Sequence, residues 1–287
     1  MSWTLEGKAA IVTGASVGIG AEVVRQLVAR GTRVAAFARR AEKLEALVRE
    51  LGAERVRAVG GDLAVAADRE RLVQEAEALG PVQVLVNNAG FGQKGPLELV
   101  DVELARQQFE VNVFGLMALT RQVLPAMRRA GGGRVLNVSS VAGRVAMPLH
   151  GWYCASKAAL ESLSDSLRVE VARFGIDVVL IEPGPIATEF FDVAASSLDH
   201  LSGDLAAYRS VIDQESASRR RAAGRRTTAA ECAAVIVGAA AAPRPRARYR
   251  ITALARALML ARWLLPTWVM DRVIARAMGV PLSREPR

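Results

Sequence analysis

Lys8 to Thr13 reads KAAIVT and runs directly into Gly14, Ala15, Ser16, Val17, Gly18, Ile19 and Gly20. The next residues, AEVVRQLVAR, carry a helical apolar period through Ile19, Val23 and Leu27. A short run of small and β-branched apolar residues predicts a buried strand. Glycines between a strand and a helix let the backbone come close to an anion, which the helix N-terminus then holds. The spacing is GxxxGxG rather than the usual GxGxxG. Three glycines alone could be a tight turn, but the strand–turn–helix context favours a phosphate-binding turn.

The same alternation continues down the chain. Thr32 to Ala38 is a second strand, and the residues that follow it are Arg39 and Arg40, not an acid. An acid here would take a ribose 2′-hydroxyl, whereas a guanidinium can hold a 2′-phosphate by paired hydrogen bonds. The plainer account is a solvated loop arginine; the position favours NADP(H) over NAD(H). An amphipathic helix over 41–52 ends at Gly52. Strands follow at 56–59, 82–86, 134–138 and 177–181, with helices at about 66–79, 101–127 and 152–173. Strands alternating with helices predict one parallel, doubly wound α/β sheet. Such sheets bind ligands at the C-terminal ends of their strands. The polar residues Asp62, Asn87, Ser140 and Thr188 all fall there, with the glycine turn.

Tyr153 and Lys157 lie four apart, so a helix places them on one face, one turn from each other. A free phenol titrates near pH ~10, and a nearby cation lowers that value. The pair is therefore expected to form an acid–base group able to act near neutrality. Many such pairs are only a half-buried ring beside a solvated charge. Asn112 sits mid-helix in an apolar setting, which is costly unless the amide is satisfied. It reads either as a core-bonded or helix-kinking amide, or as a residue whose carbonyl orders a water.

Fifteen arginines and three acids from Arg219 onward give that segment a net +12 against +9 for the whole chain, so the remainder carries −3. A basic tail can serve nucleic acid or an anionic membrane. No basic and aromatic interleaving of the base-stacking kind is present, so nucleic acid is not expected. The two cysteines, Cys154 and Cys232, have no metal-ligand spacing and make no disulfide framework, which points to a reducing cytoplasm. The start MSWTLEGKAAIVTG does not resemble a signal peptide.

Taken together, TGASVGIG at 13–20, DL at 62–63, NNAG at 87–90, Asn112, SSVAG at 139–143, YCASK at 153–157 and PGPIAT at 183–188 resemble the short-chain dehydrogenase/reductase family. The likeness spans about residues 5–190 in order, and Ser140 precedes Tyr153 by the family's usual interval. It implies a Rossmann fold, a nicotinamide cofactor and a Ser–Tyr–Lys site supported by an asparagine. On that likeness Tyr153 is the general acid/base, and Lys157 lowers its pKa and holds the nicotinamide ribose. Ser140 hydrogen-bonds the substrate carbonyl, and Asn112 holds a water that relays protons. Gly14, Ser16, Gly18, Ile19 and Gly20 would cradle the pyrophosphate, and Arg39 and Arg40 would meet the 2′-phosphate. Asp62 and Leu63 would flank the adenine. Asn88, Ala89, Gly90, Pro183 and Gly184 would line the cofactor path, with Ile186 and Thr188 on the carboxamide. Many NADP-preferring relatives carry a basic residue where this chain has Val17, so Arg39 is the main support for NADP(H).

Phe190, Phe191, Val193, Leu198 and Leu201 suggest an apolar lid in a substrate loop at about 189–226. With Phe91, Val141, Met147, Leu149 and Trp152 they would make an apolar pocket for a lipophilic ketone, aldehyde or alcohol. His150 reads as a neutral loop histidine rather than a catalytic one. Residues 1–250 are expected to be one catalytic domain, with a helix at 227–242 and a last edge strand in PRPRARYRI. Residues 251–287 form an apolar and basic helical extension, kinked or ended by Pro266. It is too charged and short for a membrane span. Arginines and tryptophans on an apolar helix suit an interfacial segment; the competing reading is a dimer contact or a flap over the substrate pocket, and such extensions occur in the hydroxysteroid and retinol dehydrogenase branches that this C-terminus resembles. Packing on protein is favoured over peripheral membrane contact. The family likeness also implies a homo-dimer or tetramer.

Overall fold

The computed structural model describes residues 3–190, 194–195, 197–201, 203–222, 227–278 and 280. Seven parallel strands make the sheet: β1 (Ala9–Thr13), β2 (Arg33–Ala38), β3 (Val56–Gly60), β4 (Val82–Asn87), β5 (Gly133–Val138), β6 (Ile176–Glu182) and β9 (Arg248–Arg250). Their order is β3-β2-β1-β4-β5-β6-β9, with β9 at the edge as expected. The order reverses direction between β1 and β4, which is where an open α/β sheet leaves a crevice. A separate two-stranded ladder pairs β7 (Ile186–Ala187) with β8 (Thr227–Thr228). It ties the two ends of the 189–226 segment together.

Apolar runs are explained by burial on both faces. On one face α1 (Gly18–Val28), α2 (Ala41–Leu51) and α8 (Ala229–Ala241) cover Val12, Val34, Val86 and Leu136. On the other, α3 (Ala66–Ala78), α5 (Leu116–Arg129) and α6 (Gly151–Val171) cover Ile11, Phe37, Leu85 and Val135. The start of α8 carries a complete capping box. The Thr228 hydroxyl accepts from the Glu231 amide at 3.1 Å, while the Glu231 carboxylate accepts from the Thr228 amide at 2.7 Å.

The predicted long helix over 101–127 is interrupted. It runs as α4 (Val102–Phe109), one wide π turn (Glu110–Gly115) and then α5. Gly115 is needed at that turn because a Cβ there would lie 2.4 Å from the Leu63 carbonyl oxygen. The C-terminal region is helical, as expected: α9 (Ala253–Leu264) and α10 (Thr267–Met278), broken at Pro266, follow α7 (Arg209–Ala222), α8 and β9. Ala255, Met259 and Met270 pack on Val141 and Val145, immediately beyond β5. The outward side of α9 leaves Leu260, Trp263 and Leu264 exposed, with Trp263 at 81%. Among the described residues no helix is long and apolar enough to cross a membrane.

Two buried acids are held by the edge strand. Arg248 pairs with Glu161 and Asp165 on α6 and with Glu182 at the end of β6. Arg144 also reaches Glu161, at 3.1 Å, and Arg250 reaches Glu182 at 3.3 Å. The Glu161 and Glu182 side chains are only 4% and 1% exposed, so losing the central guanidinium leaves buried charge undercompensated. Arg248→Ala is expected to cost roughly 3 kcal/mol of unfolding free energy, the scale for breaking a buried pair. Urea unfolding checks this; a loss within the ~0–1 kcal/mol of a surface pair would show that Arg144 and Arg250 suffice.

Candidate active site

The crevice at the β1/β4 switch is a cleft of about 400 Å³ lined by Gly14, Ser16, Gly18, Ile19, Arg39, Arg40, Asp62, Leu63, Asn88, Ala89, Gly90 and Thr188. Its floor is built by close backbone approach. A Cβ on Gly20 would lie 2.2 Å from the Gly14 carbonyl oxygen, and one on Gly14 would meet Asn88 Nδ2 at 2.8 Å. The Asn88 amide donates to the carbonyls of Thr13 and Gly14 at 3.0 and 3.2 Å. The Thr13 hydroxyl in turn accepts from the amides of Asn88 and Ala89, both at 3.0 Å. These bonds fix the glycine turn to the end of β4. Helix α1 opens at Val17 with no side chain capping it, so its first N–H groups remain for an anion.

A second cavity, of about 410 Å³, continues from the first and shares Ile19, Asn88, Gly90, Thr188 and Phe190 with it. It holds Ser140, Tyr153 and Lys157, with Pro183, Gly184 and Ile186 along its wall. Lys157 is 4% exposed; its ammonium donates to the Val138 carbonyl at 2.8 Å and lies 5.9 Å from the Tyr153 ring centre. The Phe190 ring stands 5.5 Å from that of Tyr153, centre to centre. Asn112 is fully buried in the π turn. Its Oδ1 accepts from the Phe91 amide at 3.1 Å, and its Nδ2 donates to the Phe91 carbonyl at 2.9 Å and to the Ser156 hydroxyl at 3.1 Å. Gly90 runs between these groups: a Cβ there would lie 2.9 Å from Asn112 Oδ1 and 3.6 Å from Lys157 Nζ.

The electrostatics differ from the expectation. Burial pushes the Tyr153 phenol up to about 12, with a hydrogen bond to Ser140 pulling the other way. Burial also draws Lys157 down to about 8, opposed by the Glu161 carboxylate one turn further along α6. In the chain alone, desolvation therefore outweighs the Ser140 hydrogen bond on the phenol.

Residues 8–198 match the family model described as short chain dehydrogenase. The chain belongs to the short-chain dehydrogenase family. It is 35% identical over 269 residues to the oxidoreductase YbbO of Escherichia coli K12, covering 93% of this chain and 94% of that one. It is 32% identical over 271 residues to the NADPH-dependent 3-dehydrocapnine reductase of Ornithobacterium rhinotracheale, covering 92% and 95%. A short-chain dehydrogenase of Burkholderia cenocepacia, solved in complex with NADP, superposes with a TM-score of 0.73 at 27% identity, covering 95% of this chain and 99% of that one.

The dehydrogenase brings most of the predicted residues together, but not all. Asn87 lies away from the cleft: its amide donates to Thr120 and Asn137 in the core, and Asn88 faces the ligand side instead. Asn112 spends its side chain on Phe91 and Ser156. Phe91 lines the first cleft rather than the second. Val141 and Met147 line the second, whereas Leu149 and Trp152 do not. Trp152 stacks edge-on against Phe109, its ring turned toward α4. Phe191 and Val193 lie outside the described residues. Sequence reasoning missed Glu215 and Ser218 on α7 and left open Leu254, Leu258, Ala277 and Met278 on α9 and α10, all of which line the second cavity. Residues of the C-terminal extension thus line the cavity, as a flap would. His150 stands at the irregular position just before α6, where its side chain makes no cap bond, and is buried beside Glu215.

The phenol of Tyr153 can be followed directly. Subtracting the alkaline absorbance titration of Tyr153→Phe from that of the unmodified protein is expected to give a midpoint at about 12. A midpoint below that of free tyrosine, about 10, would show that the charge of Lys157 overrides burial.

Proposed function

We propose that the protein is an NADPH-dependent reductase of lipophilic ketones or aldehydes. The observation that carries this reading is a single continuous cleft. A glycine-built, arginine-mouthed half opens into an apolar half where Ser140, Tyr153 and Lys157 converge. The glycine cradle and the uncapped start of α1 fit a pyrophosphate. Arg39 is exposed at the cleft mouth and makes no ion pair among the described residues, leaving its fork for a 2′-phosphate. Arg40 is partly engaged, donating to Ser16 and Glu189 at 3.4 Å each. The NADPH dependence of the Ornithobacterium reductase and the NADP of the Burkholderia structure support the same choice.

When bound, the nicotinamide supplies the hydride. The rest falls to the chain. Ser140 donates a hydrogen bond to the carbonyl oxygen, where negative charge grows as the reaction proceeds. Tyr153 then passes its phenolic proton to that oxygen. A phenol raised to about 12 is a weak acid against water but an adequate one against a secondary alkoxide, which is a far stronger base. Lys157 steadies the phenolate left behind. Asn112 is a positioning residue that holds the Phe91 backbone against the site. Met147, Val141, Leu254, Leu258 and Met278 give the pocket an apolar wall.

Tyr153→Phe is expected to lower kcat by about 10²–10⁴, the usual worth of a positioned acid, while NADPH still quenches tryptophan fluorescence on binding. Undiminished turnover would remove Tyr153 from the role of acid. The pH dependence has a definite sign. Lys157 is protonated below about 8, so reductive kcat/KM is expected to be level there and to fall as pH rises through that value. In Lys157→Met the descending limb near 8 should vanish. Arg39→Asp should move the NADPH-to-NADH ratio of kcat/KM by at least ~10-fold, about 1.4 kcal/mol; a fixed ratio would leave Arg39 as a plain loop charge.

A further inference from the structure

We infer that Lys94, Glu215 and His150 form a second recognition point in the substrate pocket, one that takes a hydroxyl group carried by the ketone. The inference rests on the reading of this cavity as the site of a carbonyl reductase. Lys94 comes from the segment after β4, His150 from the position just before α6 and Glu215 from α7. Their side chains are only 2%, 11% and 10% exposed. Lys94 Nζ pairs with Glu215 Oε2. Lys94 is itself pinned, its amide donating to the Ser197 hydroxyl at 2.9 Å and its carbonyl accepting from it at 3.1 Å.

Stability alone explains this cluster poorly. Removing two charges from water costs several kcal/mol per ion, and apolar side chains of similar volume often serve as well or better. The surroundings would suit such side chains, since Val141, Met147, Leu254 and Leu258 line the same cavity. What the ion pair leaves is informative. Glu215 Oε1 faces His150 Nε2 at 3.8 Å, too long for a direct hydrogen bond. Glu215 and His150 both line the cavity that holds Ser140 and Tyr153. Burial would raise the Glu215 carboxyl, but the charges of Lys94 and His150 beside it hold it below the ordinary carboxylate range, so it is an ionised acceptor.

One oxygen between the two groups can accept from His150 and donate to Glu215, and a hydroxyl does both. An ether or second ketone has no proton to donate. An ammonium cannot accept, and it would bring a second cation beside Lys94. The pocket therefore has two polar ends, the Ser140–Tyr153 pair for the carbonyl and the Glu215–His150 gap for the hydroxyl. Its apolar wall takes the chain between and beyond them.

The test uses a medium-chain ketone and its isomers with one hydroxyl, or one amine, walked along the chain. Both kcat/KM with NADPH and equilibrium binding by tryptophan fluorescence are measured. One hydroxy isomer is expected to exceed the parent ketone by at least ~10-fold in both, because a site built for a donor discriminates strongly against its absence. The preference should shrink toward unity in Lys94→Met/Glu215→Leu, which removes the ion pair without stranding either charge. It should also shrink in His150→Phe, which leaves the ion pair intact if the double variant fails to fold. A uniform loss across all isomers, an undiminished preference in His150→Phe, or a preference for an amine overturns the inference. Selective binding of a hydroxyketone without turnover would support the recognition point and reject the reductase reading; turnover of every ketone without preference would do the reverse.

Discussion

A buried ammonium sets the terms for everything around it. Lys157 lies inside the protein with one hydrogen bond, to the last carbonyl of β5. Holding a cation there is costly, and its lowered affinity for the proton measures that cost. The neighbourhood is arranged to bear it. Gly90 leaves room beside Nζ that any side chain would fill. Glu161, one turn further on the same helix, supplies opposite charge, and Arg144 and Arg248 hold Glu161 in place. The edge strand, which is remote in sequence, therefore reaches Tyr153 and Lys157 through α6.

The same desolvation acts in opposite directions on the two partners. It raises the phenol of Tyr153 and lowers the ammonium of Lys157, because in each case the charged form is disfavoured. An arrangement with protonated phenol and protonated amine is the resting state over most of the neutral range. That state is ready to donate a proton and then to shelter the anion produced. Oxidation would have to begin from the disfavoured phenolate.

Much of the sheet could be read from the chain because its signals are local. KAAIVT before the glycine turn, VQVLV before Asn87 and DVVLI before Glu182 are apolar on every residue or nearly so, as doubly covered strands must be. The convergence of Ser140, Tyr153 and Lys157 on one cavity was legible for a similar reason: a strand end and one helical turn place them. The π turn was not, since nothing in EVNVFG distinguishes six residues of wide helix from α-helix; Gly115 within it lies against the backbone of Leu63, in the turn after β3, which a local reading does not see. Asn87 and Asn88 could not be separated either. Adjacent strand-end residues point to opposite faces, and which face meets the cleft depends on Thr120 and Asn137 across the sheet.

The largest gap concerns the distal wall of the pocket. Glu215 and Met278 are both far from Tyr153 along the chain, and no periodicity links them to it. Their placement depends on α9 and α10 folding back over Val141 and Val145. That return also recasts the basic composition of the C-terminal quarter. Arg248 and Arg250 answer Glu161, Asp165 and Glu182, so part of the charge that suggests an external anionic partner is spent internally. An Arg-rich segment can thus be a structural complement to acids placed earlier in the chain. Here those acids sit on and beside the helix that carries Tyr153 and Lys157.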